Sequence, residues 1–405
     1  MRPAPRNLRL HIGLFGRRNA GKSSLLNALT RQQVSIVSPQ PGTTTDPVEK
    51  PMELLPLGPV LFVDTAGLDD EGTLGEARSG RSRAALDRVD LAILVAERGQ
   101  WGAFEAELLA DLKARSTPTV VALNKSDLRF SKTLPDLGDT PVVPVSALRG
   151  QGLDSLREAL LRAAPEGHFD SRHLLADLVP PGEVAVLVMP IDSSAPKGRL
   201  ILPQVMAVRD VLDGAGLALV VQARELSRAL FALKRLPALV VTDSQAFQSV
   251  AMDVPDSVPM TSFSILMSRF QGDLAAQVRG TLAIEDLREG DRVLVAEGCT
   301  HHPTEEDIGR VKLPRWLNQK VGGPLQFDTV QGREFPTDLS PYKLVVHCGN
   351  CMGNRREMLS RTHRCESAGV PITNYGLAIA HSLGILHRAL RPFPEVQDAL
   401  HALQP

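Results

Sequence analysis

Residues 8–30 read LRLHIGLFGRRNAGKSSLLNALT. An apolar run ends at Gly16, a glycine-bounded loop follows, and the segment from Lys22 onward has helical spacing. Gly16-Arg17-Arg18-Asn19-Ala20-Gly21-Lys22-Ser23 fits G-x-x-x-x-G-K-[ST]. Glycines let backbone N–H groups turn inward around phosphate oxygens, and the helix that follows points its positive dipole end at the same anion. In such a loop Lys22 reaches the β and γ phosphates, and the Ser23 hydroxyl ligates magnesium. Gly16, Asn19, Ala20, Gly21, Lys22, Ser23 and Ser24 are therefore expected to bind nucleotide.

Two later stretches complete the reading. Asp64-Thr65-Ala66-Gly67 closes the strand-like run VLFVD. An acid at that strand end holds magnesium, and Gly67 bends its amide onto the γ-phosphate. Asn124-Lys125-Ser126-Asp127 closes VVALN. Asp127 accepts from the N1 and N2 hydrogens of guanine, a pair that adenine lacks, so the wrong base would leave a carboxylate unsatisfied. Ser146-Ala147-Leu148 closes over the base. Strand-like runs at 8–16, 60–64, 90–95, 118–123 and 141–145 alternate with helical patterns at 22–30, 103–114 and 153–163. That alternation predicts a parallel α/β sheet covered on both faces.

On these motifs, residues 8–165 resemble the translation-factor-like GTPases, in the branch of the tRNA-modifying and ribosome-assembly GTPases. The resemblance makes Gly42-Thr43-Thr44-Thr45-Asp46 switch I, with Thr44 on magnesium. It makes Asn19 a potassium ligand, an ion that supplies positive charge beside the phosphates. Leu68 stands where many GTPases have a water-orienting glutamine, which implies slow intrinsic hydrolysis. Lys22, Thr44, Asp64 and Gly67 are the expected catalytic set.

The whole chain has 405 residues, which at about 150 residues per domain suggests two to four domains. Three are expected: a P-loop domain over 1–168, a smaller parallel α/β domain over 175–278, and a third α/β domain over 279–405. The middle one has strands at 184–189, 217–222 and 237–242, helices at 203–213 and 223–233, and no cluster of catalytic residue types. It is read as structural or assembly-forming. No internal repeat is evident. Net charge is −1 and aromatic residues are 4%, a poor match to a phosphate-backbone or base-stacking protein. No apolar run approaches the roughly 18 residues of a membrane span, and the basic, then apolar, N-terminus runs straight into the glycine loop without a cleavage site. A soluble, cytoplasmic protein with neither nucleic acid nor membrane partner is expected.

All four cysteines lie in the third segment. Cys299-Thr300-His301 follows the strand-like run 293–296, and His347-Cys348-Gly349-Asn350-Cys351 follows 343–346. If those strands are neighbours, their ends bring thiol and imidazole donors together. Such donors suit zinc as a closed Cys₃His site, or an iron–sulfur cluster held by three cysteines with one iron open. Cys365 lies on a helix (355–366) and is read as a packing cysteine; His363, His381, His387 and His401 are read as surface or core residues.

C-x-H, 45 intervening residues, then H-C-x-x-C behind a GTPase domain resembles the iron-iron hydrogenase maturation GTPases. The stretches Asp307-Ile308-Gly309-Arg310-Val311-Lys312-Leu313-Pro314 and Pro371-Ile372-Thr373-Asn374-Tyr375-Gly376 are also similar to that family. The resemblance implies GTPase, dimerisation and cluster-binding domains. It implies a homodimer that binds a 4Fe–4S cluster on Cys299, Cys348 and Cys351. The protein would carry a diiron precursor with carbonyl, cyanide and dithiolate groups to the iron-iron hydrogenase, alongside two radical-SAM maturases. The fourth cluster position would fall to His301, His347, a C-terminal carboxylate such as Glu395, or water. The competing reading is a GTPase acting on RNA or the ribosome, with a structural zinc domain.

Overall fold

The computed structural model describes residues 5–30, 48–55, 57–65, 85–97, 99–128, 135–165, 172–191, 200–298, 307–332 and 334–396. Switch I with Thr44, then Ala66, Gly67 and Leu68, and Cys299, His301 and His401 lie outside the described residues. The chain divides into two units, Met1–Ser171 and Arg172–Pro405.

In the first unit β1 (Leu10–Phe15) lies between β3 (Gly58–Asp64) and β4 (Leu91–Glu97), followed outward from β4 by β5 (Thr119–Asn124) and β6 (Val142–Pro144). These strands are parallel; β2 (Val48–Leu54) runs antiparallel on the outer side of β3. Helices α1 (Lys22–Thr30), α2 (Ala103–Ala114) and α3 (Leu153–Ala163) cover the faces. β1 is buried along its whole length, as a parallel strand with helices on both sides must be. The sequence reading missed β2, whose charges and Pro51 suit only an edge strand. From β1 the chain passes to β3 on one side and later to β4 on the other. Ligands of open α/β sheets bind in the crevice at the carboxyl end of such a switch strand, which here is Gly16 onward.

The second unit holds two four-stranded parallel sheets. One comprises β7 (Val184–Val188), β8 (Leu217–Val221), β9 (Leu239–Thr242) and β10 (Met260–Ser262), in the order β10-β9-β7-β8. The other comprises β11 (Arg292–Glu297), β12 (Gln326–Gln331), β13 (Leu344–His347) and β14 (Ile372–Asn374), in the order β12-β11-β13-β14. Each places its second strand on one side of the first and its third and fourth on the other. The topology therefore repeats where the sequence shows no repeat, because a shared strand order needs only a shared apolar pattern.

The segments expected at 175–278 and 279–405 are not separate in space. Helix α4 (Leu202–Asp213), α5 (Leu226–Ala232), α6 (Phe247–Asp253) and α7 (Phe263–Gln271) belong to the first of these two sheets. The next helix, α8 (Leu274–Leu282), is capped by Asp273, packs on β14, and would be cut by a boundary at 278. Helix α9 (Leu313–Val321) follows β11, and α10 (Arg355–Ser367) lies between β13 and β14. The last helices, α11 (Tyr375–Ser382) and α12 (Leu386–Leu390), return to the first of the two sheets. Leu377, Ala380, Leu386, Leu390 and Phe393 share one core with Val186, Val240 and Phe263. Burial of these side chains is what joins the two sheets into one unit.

Candidate functional site

The phosphate loop follows β1 and closes on α1. Gly16 has φ +146° and Gly21 φ +93°. A Cβ at Gly16 would lie 2.2 Å from the Val95 carbonyl oxygen, and one at Gly21 would lie 2.1 Å from Asn124 Nδ2, so both positions need glycine. Asn19 takes a left-handed conformation, φ +62°, with its side chain exposed. Lys22 Nζ donates to the carbonyls of Gly16 at 2.9 Å and Arg17 at 2.7 Å, which curls the ammonium back under the loop. The Ser23 hydroxyl donates to Asp64 Oδ2 at 2.6 Å. The two groups expected to share magnesium are thus already in contact, one in the first turn of α1 and the other at the end of β3. Ser24 follows in the first turn of α1.

Asn124 joins the two halves of the site. Its Nδ2 donates to the Ala20 carbonyl at 2.9 Å, and its Oδ1 accepts from the Ala147 N–H at 3.1 Å. Lys125, at φ +60°, pairs with Glu97 at 2.6 Å. The Ser146 hydroxyl, with Arg149 adding to it, holds the Asp127 carboxyl below the usual carboxylate range, so it is an ionised acceptor at neutral pH. Sequence reading missed Arg17, which is drawn aside onto buried Glu105 at 2.6 Å and over the Phe104 ring. A basic residue in a phosphate loop gives no sign that a helix ninety residues on will claim it.

The cysteine loop sits at the second unit's own switch point. From β11 the chain goes to β12 on one side and then to β13 on the other. Cys299 follows β11 after Gly298, and Cys348 follows β13. The Cys348 Sγ accepts N–H bonds from Gly298 at 3.0 Å and Asn350 at 3.4 Å. Burial pushes this thiol up from its ordinary range, and the two N–H groups oppose the shift. Asn350 is at φ +49°, and its Oδ1 would collide at 2.3 Å with a Cβ at Gly298 and at 2.4 Å with one at Gly353. Cys351 is half-buried and packs against the core of the other sheet. Amide donors aimed at sulfur, on a loop packed tightly at a crevice, fit a thiolate that carries metal. Among the described residues no three His, Cys, Asp or Glu side chains converge on a metal-sized point.

The expected imidazole donors fare differently. His347 is sealed from water; its Nδ1 lies 2.7 Å from the Cys348 carbonyl, and its Nε2 lies 2.8 Å from Arg361 Nη1. Burial, then the Arg361 charge, pushes its pKa down to about 3, so it is neutral. Both ring nitrogens are committed to the protein, which runs against the reading of His347 as a ready fourth ligand. Glu395 is spent on Arg269, at 2.5 Å, in a network with Asp177. Cys365 is fully buried in the apolar layer under α10, where burial raises its thiol to about 12. Sequence reading gave no role to Glu297, Gln331 or Tyr375. Glu297 is buried, accepts from Gln331 Nε2 at 2.8 Å, and meets the Tyr375 hydroxyl at 3.5 Å. Its place at the end of β11, two positions before Cys299 in the sequence, was a signal available beforehand.

Comparison with known proteins agrees with this division. The 50S ribosome-binding GTPase model matches residues 11–125. Relatives of that part include the tRNA modification GTPase MnmE of Methylobacterium radiotolerans, 41% identical over 41% of this chain and 37% of its own. The human mitochondrial 5-taurinomethyluridine-[tRNA] synthase subunit GTPB3 is 40% identical over 40% of this chain and 36% of its own. GTPase Era of Xanthomonas oryzae pv. oryzae is 36% identical over 38% of this chain and 55% of its own. The chain thus spans only part of each curated relative. Among solved structures, Aquifex aeolicus Era bound to GDP.AlF4- aligns with 52% of this chain and 93% of its own at 21% identity and a TM-score of 0.34. No helix among the described residues is long and apolar enough to cross a membrane. The hydrogen maturase F dimerization domain matches residues 174–272, and the hydrogen maturase F tetramerization domain matches residues 275–392. These two models meet at the turn before α8 and between them cover more than half of the chain, which belongs to the hydrogen maturase F family.

Proposed function

We propose that this protein is a GTP-hydrolysing scaffold for hydrogenase maturation, with a 4Fe–4S cluster held by Cys299, Cys348 and Cys351. The observation that carries the reading is the Cys348 loop at the β11/β13 switch point. Its sulfur accepts two backbone N–H bonds, in a chain whose first unit carries a phosphate loop with Lys22 curled beneath it. GTP is the nucleotide because the Asp127 carboxylate, at the end of the base motif, can accept from the N1 and N2 hydrogens of guanine, which adenine lacks. Magnesium would sit between Ser23, Asp64 and Thr44, and potassium at Asn19. Asp64 and Ser23 orient that end of the site, while Lys22 offsets β/γ-phosphate charge.

When bound, the cluster supplies one iron whose fourth position stays open for an exchangeable group. Around it Gly298 and Asn350 donate to the Cys348 thiolate and stabilise its charge. The cargo is the diiron precursor of the iron-iron hydrogenase, and the hydrogenase and two radical-SAM maturases are the partners. The protein works as a homodimer in the cytoplasm.

The test is anaerobic iron and sulfide reconstitution followed by EPR of the reduced protein. Cys299→Ser, Cys348→Ser and Cys351→Ser should each lose the 4Fe–4S signal, while Cys365→Ser keeps it. The three loss variants should fail to activate hydrogenase in co-expression yet hydrolyse GTP within about twofold of wild type, since the phosphate loop and the cysteines belong to different units and share no partner among the described residues. Stoichiometric zinc with no iron would favour the RNA-directed GTPase instead. Hydrogenase activation by the triple variant would remove the cluster from the carrier role.

A further inference from the structure

His347 and Cys348 are adjacent in sequence and stand on opposite faces of their sheet. Side chains alternate along a strand. On β13, Leu344 and Val346 face the core that includes Cys348, Val295 and Tyr375. Val345 faces the other core, with Met358 and Cys365 of α10. The ladder continues one residue past β13, since the Cys348 N–H donates to the Ala296 carbonyl at 2.9 Å. His347 therefore follows Val345 toward α10, and Cys348 follows Val346 to the opposite side.

The contacts of His347 agree with that placement. Arg361, on α10, is 3% exposed and places Nη1 2.8 Å from His347 Nε2. A guanidinium has donors and no acceptor, so Nε2 accepts and the ring proton lies on Nδ1. Nδ1–H then donates to the Cys348 carbonyl at 2.7 Å. Arg361 Nη2 is anchored in turn on the Gly332 carbonyl at 2.7 Å and on Glu357 Oε1 at 3.0 Å. A chain of hydrogen bonds thus runs from the end of β12, through Arg361 and His347, to the backbone of the first loop cysteine.

We propose that His347 is a positioning residue, held by Arg361 on the face of the sheet away from the iron, and that the pair fixes the Cys348 carbonyl and so the loop presenting Cys348 and Cys351. The proposal rests on the cluster reading above. It leaves the fourth iron position without an imidazole from this residue.

The test uses the full chain, reconstituted with iron and sulfide, with ¹⁴N- or ¹⁵N-histidine. The readouts are EPR with hyperfine spectroscopy and the rate of iron loss to a chelator. His347→Asn keeps an N–H toward the Cys348 carbonyl and should keep the wild-type g-values and the wild-type histidine-nitrogen couplings. His347→Leu and Arg361→Gln should each speed iron loss about tenfold, the cost of removing an outer partner of a metal ligand. The double variant should lose iron no faster than either single one, because both break one chain. A histidine coupling present in wild type and absent from His347→Asn would make His347 a ligand and overturn the proposal. Wild-type iron retention in His347→Leu, or additive losses in the double variant, would overturn it too. A wild-type chain that takes up zinc and no iron would remove the cluster reading itself, and this inference with it.

Discussion

His11 lies within β1, 2% exposed, with its Nε2 3.1 Å from the Arg6 carbonyl. Burial, then the nearby charges of Arg6 and Arg88, lowers its pKa from 6.5 to about 4. The folded state thus resists a proton that the unfolded chain accepts. Stability is present in full above about pH 6.5 and is lost as pH falls toward 4, at about 1.4 kcal/mol per pH unit and of order 3 kcal/mol in all. Thermal melts between pH 7 and pH 5 should show the transition that GTP analogues shift upward falling steeply, and His11→Gln should flatten that dependence. An unchanged slope in the variant would assign the acid lability elsewhere. The nucleotide site makes a second prediction at this scale. Lys22→Ala should lower GTP turnover by about 10²–10³, the usual loss of one preorganised contact to developing charge. Wild type should turn over GTP faster in potassium than in sodium and prefer it to ATP, and Asn19→Ala should erase the ion effect; equal wild-type rates in both salts would remove potassium from Asn19. The phosphate and base motifs were legible because each is a short local run. The partners of Arg17 and His347 were not, since Glu105 and Arg361 come from distant helices.

Helices α1, α2 and α3 begin and end where the spacing places them. Their signals are strong: apolar stripes bounded by glycine or a change of charge. Strands β10 and β14 escaped notice because Met-Thr-Ser and Ile-Thr-Asn are too short and too polar to stand out as apolar runs. β12 escaped because Gln326–Gln331 is a polar edge strand, half-exposed on both faces. One helix glycine makes a sharp prediction. Alanine is ordinarily better than glycine inside a helix by about 1 kcal/mol. At Gly280 of α8 a Cβ would lie 1.9 Å from the Ile372 carbonyl oxygen, so backbone must move. Overpacking of this kind costs about 1–3 kcal/mol and wins over the propensity gain. Gly280→Ala should therefore lower the melting temperature of the second unit; a rise would show that α8 does not pack this closely on β14.

At the scale of the whole molecule, β8 is the open edge of its sheet, paired only with β7 among the described strands. Its residues are unusually apolar for an edge, with Leu217 55% and Val220 45% exposed. Unpaired edges are templates for another strand, and lysine is the common guard against that pairing. Val220→Lys should weaken self-association at least about tenfold, or 1.4 kcal/mol, read as a shift toward monomer in light scattering. An unchanged mass would place the dimer contact elsewhere. The return of α11 and α12 to the middle sheet adds a constraint. Removing 175–278 would strip Leu377, Leu386 and Phe393 of their core, so association is better tested by a point change.

The sequence by itself determined the GTPase class, the order of its motifs and the candidate cysteines, because a loop that cradles phosphate or a pair of thiols with two residues between them is chemistry written in neighbouring residues. It also held the alternation that parts His347 from Cys348. Only the tertiary structure decided that the two later sheets share one strand order and that the last helices, α11 and α12, bury side chains in the core of the first. It alone supplied the Gly298 N–H to the Cys348 sulfur, and Arg361 to the ring of His347. Those facts depend on which distant segments meet when apolar surface is buried. A local pattern says which face of an element seeks cover and leaves open what covers it.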